Sequence, residues 1–152
     1  MSVDKKDKLI LALLQEDASL PVAEIAEKVG LSRTPCWRRI QQLEEKGVIR
    51  KRVALLDRHK LNVPITVFVA VRTNEHNAQW TGRFREMVQS IPEIVEVHRL
   101  SGDIDYLLRV LVPDINGFDA VYKRMIEMVN FADVSSSFSM EEFKLTTAIP
   151  LN

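Results

Sequence analysis

Cysteine is nearly absent from this sequence, with Cys36 the single example among 152 residues. One cysteine excludes an intramolecular disulfide and a cysteine metal cluster. The three histidines, His59, His76 and His98, lack the spacing of metal ligands, so we expect no metal site. Cys36 falls on the apolar side of a predicted helix, which favours a small buried residue. Its basic neighbours keep a redox-sensing role open as the alternative.

Long apolar runs are also missing. No segment is long and apolar enough to span a membrane. The first residues, Met-Ser-Val-Asp-Lys-Lys-Asp-Lys, are not followed by an apolar region of the signal-peptide kind. We therefore expect a cytosolic protein. A nucleophile–base motif and a phosphate-binding loop are absent too, which argues against an enzyme.

The formal net charge is zero, but the charges are unevenly distributed. Residues 1–60 hold 13 Lys and Arg against 9 Asp and Glu, whereas residues 61–152 hold 8 against 12. From Arg33 to Lys60 the count is 9 basic against 3 acidic residues. This concentration of positive charge predicts a partner that carries negative charge, such as nucleic acid.

The segment from Leu20 to Arg52 reads as two short helices around a tight turn. The first has an apolar stripe at helical spacing, made of Val22, Ile25, Ala26 and Val29. Gly30 falls where a left-handed residue ends a helix, and Ser32 can cap the next one. The second helix is predicted to bury Cys36, Ile40 and Leu43 and to expose Thr34, Arg38, Gln41, Gln42 and Glu45. Any small bundle can contain such helices. The short turn, the exposed side chains and the basic surroundings favour a helix-turn-helix, which lays its second helix in the DNA major groove.

A further helix over 5–16, capped by Asp4, is predicted before this pair, with Leu9, Ile10, Leu13 and Leu14 as its core face. Residues 48–56 are β-rich and predict a wing or exit strand. Beyond Pro64, strands are predicted at 65–73, 94–100, 106–112 and 134–147, and helices at 78–91 and after Asp114. The order β-α-β-β-α-β is that of a ferredoxin-like unit. We expect an α+β chain with a winged helix-turn-helix at 1–50, a wing strand and linker at 51–64, and a ferredoxin-like domain at 65–152.

Two of the predicted strands are apolar at nearly every position, namely 67–71 and 107–112. A strand with one wet face should alternate, so the sheet face away from the helices is predicted to be buried as well. One chain has nothing left to cover it. We therefore predict a homodimer through this sheet.

The chain resembles the Lrp/AsnC family of transcription regulators over essentially its whole length. The resemblance rests on several segments together: 31–40 (LSRTPCWRRI), 43–49 (LEEKGVI), 54–57 (ALLD), 101–108 (SGDIDYLL) and 137–144 (SFSMEEFK). Within the family the details look nearest to the regulators of cysteine detoxification and to the leucine-responsive regulators. The resemblance implies a winged helix-turn-helix, an α/β-sandwich effector domain, dimers that commonly assemble into octamers, and a free amino acid as effector.

For DNA binding, the predicted exposed face of the second helix and the family resemblance together give each side chain an expected role. Thr34, Arg38 and Gln42 should approach base edges, which donate and accept hydrogen bonds in the major groove. The phosphates should meet Ser32, Arg33, Arg39, Lys46, Arg50 and Arg52. Trp37 also belongs to the expected DNA-binding set. It replaces a smaller aliphatic residue that is usual in the family, which bears on how the helix seats in the groove.

For effector binding, the resemblance places the pocket between effector domains. The turn at Gly102, Asp103, Ile104 and Asp105 would line one side, and Ser135, Ser136, Ser137 and Phe138 of a neighbouring chain the other. Turn amides suit a carboxylate, and an aspartate suits an ammonium group. Ile104 stands where family members often carry an aromatic residue, which bears on effector preference. Cysteine, leucine and methionine are the candidate effectors, and no cofactor is expected. Without the resemblance, the same residues would read as a plain hairpin turn.

We therefore expect a bacterial, nucleoid-associated transcription regulator, and two other functions are the alternatives. A ferredoxin-like dimer can form a small enzyme, in which His98, Asp103, Asp105 and Tyr106 would be the acid and base groups. A ligand-binding module without DNA activity is the third possibility. Both leave the basic N-terminal part of the chain unexplained.

Overall fold

A computed structural model describes residues 3–152 as two compact units. One unit ends at Leu55 and also includes Lys144–Asn152, and the other spans Leu56–Phe143. The first unit holds α1 (Lys5–Glu16), α2 (Val22–Val29) and α3 (Arg33–Glu45). The second holds β1 (Ile65–Arg72), α4 (Ala78–Ser90), β2 (Ile94–Arg99), β3 (Tyr106–Val112), α5 (Ile115–Met128) and β4 (Asp133–Phe138). This is the α+β class that the sequence predicts. No helix among residues 3–152 has the length and apolarity needed to cross a membrane.

The first unit is a three-helix cluster with a small apolar core. Its buried side chains are Ile10, Leu14, Ile25, Ala26, Val29, Cys36, Ile40 and Leu43. Leu9, predicted to be in the core, is instead 43% exposed, whereas Asp7 on the same helix is buried. The helix turns the Leu9 side chain away from α2 and α3 because Ile10 and Leu14, four residues apart, form the stripe that meets them.

The second unit is an antiparallel sheet of order β2-β3-β1-β4 with α4 and α5 packed on one face. This is the ferredoxin-like arrangement expected from the element order. Val67, Val69 and Val71 of β1 are fully buried against the helices together with Leu108 and Val110 of β3. Alternate residues therefore point to the other face, because successive side chains of a strand lie on opposite sides.

The face of the sheet away from the helices is largely apolar at its centre. We call this the open face, and in β1 and β3 its apolar residues are Phe68, Ala70, Leu107 and Leu111. Phe68 is 38% exposed, and the other three are partly buried. Arg109 lies between Leu107 and Leu111 on this face, opposite Phe68. Its Nε is 2.9 Å from Oε2 of Glu96 in the edge strand β2, and Glu96 also pairs with His98. The open face thus combines apolar residues with a central arginine that is ion-paired toward the β2 edge.

Two of the predicted strands differ from the structure. The predicted strand at 48–56 is not formed in the described part of the chain, and the last strand ends at Phe138 rather than near Thr147. In both segments apolar side chains remain exposed, as at Leu55, Leu56 and Phe143. Apolar and β-branched composition favours extended backbone, but a strand also needs a neighbouring strand for its hydrogen bonds.

The predicted domain boundary at 65–152 also differs from the compact units, because Lys144–Asn152 belongs with the helical unit. The side chain of Gln15 explains this placement. Its amide nitrogen donates to the Ile149 carbonyl at 3.0 Å, and its amide oxygen accepts from the Ile149 N–H, also at 3.0 Å. One amide thus satisfies both backbone groups of a residue in the C-terminal segment.

Candidate nucleic-acid interface and effector site

The turn between α2 and α3 is fixed by backbone hydrogen bonds. Gly30 adopts φ 67°, the left-handed conformation that glycine reaches without steric cost. Its N–H donates to the carbonyls of Ala26 and Glu27, and the next N–H, of Leu31, also donates to Ala26. These hydrogen bonds close α2, and only three residues, 30–32, separate it from α3. The glycine therefore has the role that the sequence predicts.

Ser32 occupies the N-cap position of α3, with φ −74° and ψ 161°. Its hydroxyl makes no capping hydrogen bond, so the predicted side-chain cap is wrong. The Ser32 carbonyl instead accepts from the Cys36 N–H at 3.2 Å. The hydroxyl is exposed at the N-terminus of a helix, where the backbone N–H groups favour an anion.

One side of α3 is open to solvent. Its exposed residues include Arg33, Thr34, Trp37, Arg38 and Gln42, whereas Cys36, Ile40 and Leu43 are buried. Trp37 is 50% exposed. Lys46 and Arg50, which follow the helix, are exposed as well. This face presents guanidinium, hydroxyl and amide groups together, the chemistry that reads base edges and contacts phosphates.

Two arginines of the predicted DNA-binding set are engaged within the domain. Nη1 of Arg39 lies 2.6 Å from Asp4 Oδ2 and 2.8 Å from Asp7 Oδ1. Nη2 of Arg52 lies 2.9 Å from Glu44 Oε1, and its Nη1 donates to the Ala18 carbonyl at 3.2 Å. Both guanidinium groups thus have protein partners where the sequence suggested phosphates.

Cys36 is fully buried in the helical core, and burial raises the pKa of its thiol. The nearby Arg39 lowers that pKa by a smaller amount. A thiol of this kind stays protonated and is a poor nucleophile, which argues against the redox alternative. Among the described residues, no group of three or more His, Cys, Asp or Glu is placed to hold a metal ion.

The turn at residues 102–105 is tied to the end of β1. Gly102 adopts φ 136°. Asp105 donates its N–H to the Val71 carbonyl at 3.0 Å, and its carboxylate accepts from the Thr73 N–H at 2.8 Å. Asp103 is exposed and Ile104 is half-buried. The Asp105 carboxylate thus has a structural partner, and Asp103 is the carboxylate of this turn that faces solvent.

The four predicted effector residues of β4 do not share a face. Ser135 pairs with Ala70 and Ser137 with Phe68, which puts both serines on the open face. Ser136 and Phe138 therefore lie on the helix side. There the Phe138 ring meets Phe118 edge-on at 5.5 Å between centroids. Strand alternation brings together only two of the four residues.

A groove of about 540 Å³ lies between α4 and the ends of β2 and β3, next to the 102–105 turn. Its wall includes the aromatic residues Trp80, Phe84 and Tyr106, and its margin carries Arg99 and Asp105. Phe84 and Tyr106 pack with ring centroids 4.4 Å apart. The sequence gives Trp80 and Phe84 only a core role, since a helical aromatic stripe carries no signal that distinguishes a groove wall from a core.

The helix-turn-helix with an exposed basic reading face, joined to a ferredoxin-like domain, defines the chain as a DNA-binding protein with an α+β companion domain. Comparison with known families agrees. Residues 3–50 match the family described as winged helix-turn-helix DNA-binding, and residues 66–149 match the Lrp/AsnC ligand binding domain. The chain belongs to the Lrp/AsnC family of transcriptional regulators.

Similar proteins extend the comparison over the whole chain. The glutamate uptake regulatory protein of Zymomonas mobilis is 49% identical over 98% of this chain and 91% of its own length. An AsnC family transcriptional regulator from Agrobacterium tumefaciens is 59% identical, with a TM-score of 0.93 over 97% of this chain and 96% of that one. A transcriptional regulator from Neisseria meningitidis, solved as a complex with L-Met, is 36% identical, with a TM-score of 0.94 over 99% and 98%. These relatives are regulators, so the chain is a regulator rather than an enzyme.

Proposed function

We propose that this chain is a sequence-specific regulator of amino-acid metabolism whose DNA binding responds to a free amino acid. The observation that carries the proposal is the exposed face of α3, where Thr34, Arg38 and Gln42 stand beside one another at helical spacing. A reading helix of this kind enters the major groove. The ligand-binding domain of the family, at residues 66–149, supplies the place for a signal.

In the proposed complex Thr34, Arg38 and Gln42 approach base edges, and Trp37 packs at the border of the groove. The phosphate contacts come from Ser32, Arg33, Lys46, Arg50 and Arg52. Arg52 would exchange its partner Glu44, since its guanidinium is 43% exposed and a surface pair of this kind is weak. Phosphate contacts set affinity and register, whereas base contacts set sequence preference.

The intact protein can be used to select the DNA fragments that it binds from a random pool. A selected fragment then serves as the ligand in the affinity measurements. Arg38→Ala should weaken binding to the selected fragment by about 1–3 kcal/mol and relax its sequence preference, if the guanidinium pairs with a guanine. Arg50→Ala should weaken all sequences alike and flatten the dependence of affinity on salt. Fluorescence anisotropy at several salt concentrations measures both. An unchanged sequence preference in Arg38→Ala would overturn the assignment of that residue.

For the effector, we propose a pocket between effector domains of neighbouring copies. The backbone of Gly102, Asp103, Ile104 and Asp105 would bind the carboxylate, and the exposed Asp103 side chain the ammonium group. Ser135 and Ser137 of a second copy would line the other side, with Ser136 and Phe138 behind them. Cysteine, leucine and methionine are the candidate effectors. The L-Met complex of the Neisseria relative supports the class of ligand.

A thermal unfolding panel against the twenty amino acids tests this proposal. A ligand that binds only the folded state stabilises it by about 2.7 kcal/mol at one hundred times its Kd, so an effector should stand apart from the rest. Asp103→Asn should abolish that shift while leaving the unliganded midpoint close to wild type, because Asp103 is exposed. If no amino acid raises the midpoint, the effector proposal is wrong.

The same proposal includes a homodimer through the open face, assembly of dimers into an octamer, and action on the nucleoid in the cytoplasm. The dimer is supported by the apolar centre of the open face, which carries the half-exposed Phe68. Two reading heads related by a two-fold axis would require a pseudo-palindromic target. Half-sites should then lie about one helical turn apart, or a multiple of that distance.

A further inference from the structure

Arg39 and its two carboxylate partners form a closed network between α1 and α3. Asp4 and Asp7 cap α1 reciprocally: Asp4 Oδ1 accepts from the Asp7 N–H at 2.9 Å, and Asp7 Oδ2 accepts from the Asp4 N–H at 3.1 Å. The second oxygen of each carboxylate binds Nη1 of Arg39. All four carboxylate oxygens therefore have a defined partner. The guanidinium is held by a preorganised pair rather than by two mobile side chains.

Burial distinguishes this network from an ordinary surface ion pair. The Asp7 side chain is 8% exposed and that of Arg39 is 32% exposed. Hydrogen bonds to Asp4 and Asp7 raise the pKa of Arg39 and keep it charged. Removing Arg39 would leave a nearly buried carboxylate unpaired, whereas a solvent-exposed partner would simply be hydrated. The network therefore opposes the release of Arg39 toward a DNA phosphate.

The neighbouring arginine provides the contrast. Arg38 is exposed on the reading face and forms no salt bridge within the described residues 3–152. Consecutive helical residues point about 100° apart, so Arg38 faces outward while Arg39 faces α1. The two adjacent guanidinium groups have different surroundings and can serve different purposes.

We propose that Arg39 is a positioning residue for DNA recognition: anchored by Asp4 and Asp7, it fixes the orientation of α3 on α1 and does not bind a phosphate. The inference rests on the proposed reading role of α3. It assigns to Asp4 and Asp7 a positive contribution to DNA binding, although both carry the same sign of charge as DNA. The direction of the effect separates the two explanations. Simple electrostatics predicts that loss of a carboxylate strengthens binding to a polyanion, whereas a positioning role predicts that it weakens binding.

The test measures affinity for the selected DNA fragment at several salt concentrations in Asp4→Asn, Asp7→Asn, Arg39→Gln and Arg39→Lys. Glu16→Gln is the matched control, because Glu16 is an exposed carboxylate of the same helix without a salt bridge in the described structure. Asp4→Asn keeps a good N-cap residue, so it retains the helix while removing the charge. Thermal unfolding of each variant reports whether it is folded.

We expect Asp7→Asn and Arg39→Gln each to weaken binding about three- to tenfold, as for coupled neighbouring groups. A double variant that combines Asp7→Asn with Arg39→Gln should lose no more affinity than Arg39→Gln alone, and Arg39→Lys should recover part of the affinity. Glu16→Gln should bind as tightly as wild type or tighter.

The salt slope of Arg39→Gln, which is the change of log affinity with log salt concentration, should equal that of wild type. A slope smaller by about 0.9, the value for one lost phosphate contact, would overturn the inference. So would an Asp7→Asn variant that binds like Glu16→Gln. Failure of the wild type to bind any selected fragment would count against the proposed function, whereas these ratios among variants test the positioning role.

Discussion

Asp4, an exposed residue that caps α1, makes the stability of the folded protein depend on pH. Its pKa lies below the ordinary value of 3.8, first because its carboxylate accepts the Asp7 N–H and next because it binds Arg39. A lowered pKa in the folded state means that Asp4 adds stability above pH 3.8. That contribution is lost as the pH falls through the folded-state pKa. We expect Asp4→Asn to be less stable than wild type at pH 7 and equally stable once Asp4 is protonated in both states.

Denaturant titrations between pH 7 and pH 2 provide the measurement, with the difference in unfolding midpoint between the two proteins as the readout. Glu16→Gln controls for the loss of one exposed carboxylate from α1. A difference that stays constant over the whole pH range would show that Asp4 stabilises the helix without its charge.

The buried thiol of Cys36 leads to a chemical prediction. Because burial raises its pKa, the fraction of reactive thiolate is small in the folded protein. We expect Cys36 to resist an aromatic disulfide reagent at neutral pH and to react fully after unfolding in guanidinium chloride. Release of the coloured thiol measures the rate. Rapid reaction of the folded protein would revive the redox alternative.

Residue roles could be predicted from the sequence where they depend on helical spacing alone. Cys36, Ile40 and Leu43 are buried as their period requires. The role of Arg39 could not be found this way, because its partner Asp7 lies 32 positions earlier. An aspartate three residues after another at a helix start is a signal for a capping pair, but it does not reveal which cation the pair will hold.

Among elements, helices could be predicted more closely than strands. The bounds of α1 agree with the prediction because its cap and its apolar period are local properties. The predicted strand at 48–56 and the distal part of 134–147 are absent from the described structure, since strand formation depends on a partner that composition does not specify. The pairing register of β4 with β1 likewise had to come from the structure. It shows which face of the sheet each residue of β4 occupies, and it puts Ser135 and Ser136 on opposite faces.

The C-terminal segment provides a prediction at this scale. Gln15 satisfies both backbone groups of Ile149, which lies outside any strand. Gln15→Ala removes the acceptor of the Ile149 N–H, and one hydrogen bond contributes about 0.5–1.5 kcal/mol. We therefore expect the Ile149 amide to exchange with solvent about two- to tenfold faster in the variant. Hydrogen–deuterium exchange measures this, and the Ile49 amide, bonded to the Leu43 carbonyl at 3.0 Å, is the internal control. Equal exchange of the Ile149 amide in both proteins would contradict a stabilising role for the hydrogen bonds from Gln15.

At the scale of the whole molecule, the proposed dimer through the open face would set how many reading heads act together. Its apolar residues Phe68, Ala70, Leu107 and Leu111 are too many to leave uncovered without cost. Arg109 stands among them, and its charge is paired with Glu96 of the edge strand β2. Phenylalanine and arginine are both enriched in protein interfaces relative to the rest of a protein surface. A second copy of the chain presents the same surface, as a two-fold interface requires.

Phe68→Asp tests this assembly and its consequence for DNA together. The new carboxylate would be desolvated in the proposed dimer but hydrated in the monomer, so we expect sedimentation velocity to show dissociation at concentrations where the wild type is associated. Loss of the second reading head removes the intramolecular step of binding, so affinity for a two-half-site fragment should fall by about 10²-fold or more, while affinity for a single half-site should change little. Ile126→Asp is the control, because Ile126 is a 44% exposed residue of α5, and α5 packs on the other face of the sheet. A Phe68→Asp protein that stays associated would place the dimer contact elsewhere. One that dissociates yet binds both fragments as wild type does would separate assembly from DNA recognition.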